Sequence, residues 1–156
     1  EDEYPRDMPS QRRSEILSRT AIVNLKKEGG TSRADGVKLK KAASEQKGFI
    51  LRQIEICEPD IILCCGLSNG NMEGNAALLK EYVFNETGKW ENFQSMTLDR
   101  QWWYYYTFLN GRWIPVISFC HPQTACLGKA RGHDGLFEPL YRDMLYIRSR
   151  FLKNGI

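Results

Sequence analysis

The chain has 156 residues, 42% hydrophobic and 26% charged, with a formal net charge of +3. That length fits one domain, and a globular chain of this size buries about 70% of its unfolded surface without disulfide or metal staples. The composition excludes wholesale disorder. The longest uncharged apolar run, 61–67, falls far short of the roughly 20 residues a membrane-spanning helix needs.

The opening residues, Glu1-Asp2-Glu3-Tyr4-Pro5-Arg6, contain no apolar stretch of the kind a signal peptide carries. The five cysteines, Cys57, Cys64, Cys65, Cys120 and Cys126, are an odd number without framework spacing. Both features predict a reduced, cytoplasmic setting. Charge is unevenly spread: from Arg12 to Arg52 there are eleven Lys/Arg against four Asp/Glu, whereas from Cys57 to Ile156 the two signs balance at ten each. A basic first third suits an anionic partner such as a nucleic-acid backbone, although a solvated lysine-rich helix face has the same composition.

In chain order, residues 1–13 read as a peripheral N-terminal segment, and Ser14 to Arg19 as one short helical turn around Ile16 and Leu17. Thr20-Ala21-Ile22-Val23-Asn24-Leu25 reads as a buried strand, stopped by Lys26-Lys27-Glu28-Gly29-Gly30. The apolar positions Leu39, Ala42, Ala43, Phe49, Ile50, Ile54 and Cys57 recur mostly at three- and four-residue steps, which predicts one amphipathic helix ended by Glu58-Pro59. Asp60-Ile61-Ile62-Leu63-Cys64-Cys65-Gly66 follows as a second strand, whose unbroken apolar run suits a strand covered on both faces. Strand, helix and strand in this order predict a right-handed parallel crossover. Ala76 to Phe84 reads as a short helix.

The segment Tyr104 to Phe119, with Asn110-Gly111 at its centre, predicts a hairpin on a type I′ turn. Pro115 limits pairing there, because it has no ladder donor. The aromatic run Trp102 to Tyr106 reads as hairpin packing rather than a base-stacking surface. A last helix is expected over Leu136–Leu152, burying Leu140, Met144, Leu145, Ile147 and Phe151. The predicted architecture is a single α/β domain over 1–156: a three-layer αβα sandwich with a small, mainly parallel sheet and an antiparallel hairpin appended. Open sheets of this class bind ligands beyond the carboxyl ends of their strands.

Three of those strand ends form a pattern. Asn24 lies near the end of the first predicted strand, Gly66 closes Pro59-Asp60-Ile61-Ile62-Leu63-Cys64-Cys65-Gly66, and Val116 to Phe119 runs through Cys120 into His121-Pro122. In order and spacing this trio resembles the uracil-DNA glycosylase superfamily. The resemblance implies a uracil-DNA glycosylase-like fold and hydrolysis of the N-glycosidic bond of a deaminated or damaged base in DNA. By that resemblance His121 would stabilise the negative charge gained by the departing base, and Asn24, with Gly66 beside it, would bind the base's polar edge. Lys26, Lys27, Gln123, Leu127, Lys129 and Arg131 would contact DNA, with Leu127 a candidate wedge for the vacated stack.

The chain departs from that pattern in two ways. The family's Gly-rich, water-activating motif with Asp or Asn precedes the asparagine strand, whereas residues 1–19 contain no glycine and nothing in them matches the motif. Gln123 stands where the family's His-Pro-Ser has serine. The cysteine spacing lacks the Cys-x-x-Cys pair of iron–sulfur members, so no cofactor is expected. Cys120, His121, Cys126 and His133 match no common zinc spacing either. Asp134 is the remaining carboxylate candidate after the His-Pro loop. A non-catalytic nucleic-acid-binding domain of the same fold, and a hydrolase of small nucleosides, stand as alternatives.

Overall fold

The computed structural model describes residues 9–26, 35–66, 74–85, 91–94, 101–119, 144–147 and 149. Its centre is the hairpin of β3 (Gln101–Leu109) and β4 (Arg112–Phe119). Asn110 and Gly111 have φ of 49° and 78°, the positive pair that a type I′ turn requires. Two further strands complete the described sheet: β1 (Ile62–Cys65) beside β4, and β2 (Glu91–Gln94) beside β3, in the order β1-β4-β3-β2.

Only β1 and β4 run parallel; β4 with β3 and β3 with β2 are antiparallel. The sheet is therefore mixed, and the expected mainly parallel sheet is corrected. The reason is Thr20–Leu25, which belongs to no strand. Ile22 is 89% exposed, while Val23 and Leu25 pack against the core. The apolar run is thus a strap covered on one side only, and the crossover predicted from it is not formed.

Helix α1 (Ser10–Ser18) starts earlier than the turn predicted at Ser14, and Ile16 and Leu17 on it are exposed. The long helix expected to end at Cys57 is two helices, α2 (Gly36–Glu45) and α3 (Lys47–Cys57), broken at Gln46. Asp35 caps α2, its side chain accepting from the Val37 amide at 2.9 Å. Ala42 and Ala43 of α2 and Ile50 and Ile54 of α3 are buried, and both helices pack against the 79–83 segment. Phe49 and Cys57, expected on the buried face, are exposed instead. Glu58 ends α3 in the left-handed region, at φ 45° and ψ 51°, immediately before Pro59.

Helix α4 (Gly74–Leu78) continues as a π-helical stretch over Leu79–Val83, closed by a 2.8 Å bond from the Phe84 amide to the Leu79 carbonyl. This segment, α3 and the Val23–Leu25 strap cover one sheet face, enclosing Cys64, Tyr105, Ile114 and Val116. The opposite face carries Leu63, Tyr104, Ile117 and Phe119 against Met144 and Ile147 of a helical stretch. Ile147 is buried as expected, whereas Leu145 is exposed. Leu140 and Phe151 lie outside the described residues. The chain is therefore of mixed α/β class, with helical residues on both faces of its sheet. Among the described residues, no helix is long and apolar enough to cross a membrane.

Candidate functional site

The parallel pair decides where a site can lie. β1 and β4 meet with Cys65 opposite Phe119, so their carboxyl ends are side by side. Their pairing starts at Val116, one residue past Pro115, which cannot donate to the ladder. One step beyond the paired residues, the Gly66 amide donates to the Phe119 carbonyl at 2.9 Å. Gly66 takes φ +116°, and a Cβ there would lie 2.7 Å from Asn75 Nδ2. Glycine is thus required twice, by its backbone angle and by the closeness of Asn75.

Asn75 fastens the start of α4 to this edge. Its amide donates to the Gly66 carbonyl at 3.1 Å, and its Nδ2 donates to the Cys65 carbonyl at 2.7 Å. Below it, the Tyr105 hydroxyl donates to the Ala76 carbonyl at 3.3 Å, tying the same helix to the middle of the sheet. The carboxyl ends of β1 and β4 and the beginning of α4 thereby form one rigid corner. Sequence reasoning missed Asn75, whose only signal is its position directly after Gly74 in a turn-rich stretch.

The thiols at this corner are chemically quiet. Burial pushes the Cys64 thiol far above its usual range, with the neighbouring Cys65 adding to the shift, and burial also raises Cys65. Both thiols are thereby held in the protonated form, which disfavours them as free nucleophiles. Cys57, Cys64 and Cys65 are all free of disulfides. Among the described residues, no group of three or more His, Cys, Asp or Glu side chains is placed to hold a metal ion.

Of the residues predicted for the site, Gly66 lies at the corner just described. Asn24 is exposed, on the strap rather than at a strand end, so its expected placement is corrected. Lys26 follows on the same strap, half-buried. Lys27, His121, Gln123, Leu127, Lys129 and Arg131 lie outside the described residues, as do Cys120, Cys126, His133 and Asp134. Within the aromatic run Tyr104 and Tyr105 are buried, and the Tyr104 hydroxyl donates to Glu91 Oε2 at 2.6 Å across the β2–β3 pair. No family model, curated protein or solved structure matches the chain.

Proposed function

We propose that the chain is a uracil-DNA glycosylase-like domain, a three-layer αβα unit that hydrolyses the N-glycosidic bond of a deaminated or damaged base in DNA. The observation that supports this most is the parallel pairing of β1 with β4. It sets Gly66 against Phe119 at the carboxyl ends, two residues ahead of His121 in the chain. Adjacent parallel strand ends are where open α/β sheets bind ligands. In this reading His121 donates a hydrogen bond to the base oxygen that gains charge as the glycosidic bond breaks. Asn24 binds the base edge from the strap, and Lys26, Lys27, Gln123, Leu127, Lys129 and Arg131 engage DNA in a reducing, cytoplasmic setting.

A second reading, non-catalytic binding of nucleic acid, is favoured by one observation: Asn24 is exposed and off the sheet. Release of uracil and other deaminated bases from labelled DNA by the full chain separates the two. The catalytic reading expects release by the wild type and its loss in His121→Ala, with DNA affinity retained. Salt-dependent binding without release of any base would replace it with the second reading. Release undiminished by His121→Ala would remove the role given to that residue.

A further inference from the structure

Helix α2 carries its charges in the order that least favours a helix. Lys38 lies in the first turn, Lys40 and Lys41 follow it, and Glu45 is the last residue. The positive pole of the helix macrodipole is at the N-terminal end, so cations are disfavoured there and an acid is disfavoured at the other end. Lys41 Nζ is 3.8 Å from Glu45 Oε1, but lysine precedes glutamate, the weaker order for a pair four residues apart. The stability of α2 itself therefore does not account for three lysines at these positions. Pairing within the chain does not account for them either. Among the described residues Lys38 and Lys40 form no ion pair, and Lys40 Nζ lies 5.9 Å from the centre of the Tyr82 ring.

Ala42 and Ala43 are buried, which turns the opposite side of the helix to solvent. At 3.6 residues per turn, Lys41 stands near the crest of that side, with Lys38 and Lys40 on its two flanks. All three are exposed, Lys41 over 73% of its side chain. The carboxylates of Asp35 and Glu45 stand at the two ends of the helix, Asp35 engaged as its cap, so the charges between them are all positive. We propose that the Lys38–Lys40–Lys41 face of α2 docks the sugar-phosphate backbone of a nucleic acid. Such a partner needs only accessible cations along its charges, and release of its condensed counterions drives the contact. An anionic lipid surface fits less well. A helix lying in it inserts an apolar face, and the apolar face of α2 is turned into the chain. The inference goes beyond the function proposed above, because a contact at α2 requires no base excision.

Fluorescence anisotropy of labelled duplex DNA with the full chain, over a salt series, tests it. For the wild type the logarithm of the binding constant should fall linearly with the logarithm of salt concentration. Lys38→Gln with Lys41→Gln should make that slope shallower by about two, and Lys40→Gln by about one more. Glutamine matches lysine and arginine in helix propensity, so the circular dichroism should not change. Arg19→Gln with Arg52→Gln removes two comparably exposed cations elsewhere and should leave the slope as it is. An equal change in both double variants would overturn the assignment to α2, as would a wild type without affinity for DNA. Binding to phosphatidylserine vesicles in place of DNA would overturn it too. Base release is followed on the same samples. A wild type that releases no base but keeps the α2-dependent slope supports the inference while removing the excision reading, so the two fail separately.

Discussion

The Arg112 guanidinium, at the start of β4, holds the Asp60 carboxylate at 2.6 Å from Nη1. Its Nη2 donates to the Glu58 carbonyl at 2.5 Å and to the Pro59 carbonyl at 3.1 Å. One side chain from the hairpin thus satisfies three acceptors in the turn between α3 and β1. The clamp sits at the opposite end of β4 from Gly66, and it holds β1 against β4 from the start of the pair.

Arg112→Ala should therefore lower stability by about 1–2 kcal/mol, seen as a reduced urea midpoint with an unchanged slope. Asp60→Asn should cost under about 1 kcal/mol, because the Asp60 side chain is 90% exposed and solvent screens the pair. Arg112→Lys should behave like the alanine variant rather than the wild type. A point-charge ammonium cannot reach carboxylate and carbonyls together as the planar fork does. Equal losses in Asp60→Asn and Arg112→Ala would show that the ion pair, not the carbonyl bonds, carries the clamp.

At the other end of β1, Gly66→Ala should destabilise by about 1–3 kcal/mol from its backbone angle alone. The 2.7 Å approach to Asn75 Nδ2 adds a clash that the wild-type packing cannot absorb without moving that side chain. Asn75→Ala removes the clash but not the angle, so the double variant should recover only part of the loss. A double-mutant cycle by chemical denaturation measures the coupling directly. Strict additivity would mean that the two residues do not meet.

In the hairpin turn, Asn110 carries two separable contributions: a φ of 49° and a 3.0 Å bond from Nδ2 to the Glu55 carbonyl at the end of α3. Asn110→Gly keeps the angle accessible and loses the bond, for an expected cost of about 1 kcal/mol. Asn110→Ala loses the bond and strains the turn, for about 2–3 kcal/mol. Thermal unfolding of both variants checks the order; identical melting points would show that the turn conformation contributes nothing.

The thiols give a pH dependence with a defined sign. Cys64 is held protonated by burial, its folded value well above the ordinary one of 9.0. The folded chain therefore keeps a proton that the unfolded chain gives up, so this contribution is fully present below pH 9 and is lost as pH rises above it. Stability should fall on the alkaline side of pH 9, and Cys64→Ala should flatten that limb while lowering stability at neutral pH by about 1–2 kcal/mol. Site-resolved alkylation at neutral pH should modify exposed Cys57 before Cys65, and Cys64 only on unfolding. Rapid labelling of Cys64 in the folded chain would contradict its burial.

Local chemistry was legible where it depends on neighbours in the chain. Asn110-Gly111 specifies its own turn, because only residues tolerant of positive φ can occupy it, and the β-rich flanks then pair in one register. Glu58-Pro59 ends α3 for a similarly local reason, and Ile62–Cys65 is too apolar to lie outside a core. The break at Gln46 was not legible, since the apolar spacing alone runs through it. It lies at Gln46, whose φ of −104° and ψ of 12° take it out of helical geometry between α2 and α3.

The sequence by itself determined the turn, the end of α3 at Glu58-Pro59 and the two apolar segments that become β1 and β4. Only the tertiary structure decided that β1 pairs parallel with β4, that Thr20–Leu25 is a strap rather than a strand, and that Asn75 closes over Gly66. Periodicity records which side of a segment avoids water, whereas pairing depends on which other segments compete for that side. Ile22 and Phe49 are as apolar as Ile62 and Ile50, yet both are left in the open. Hydrophobicity states that a residue gains by burial; the rest of the chain decides whether anything is there to bury it.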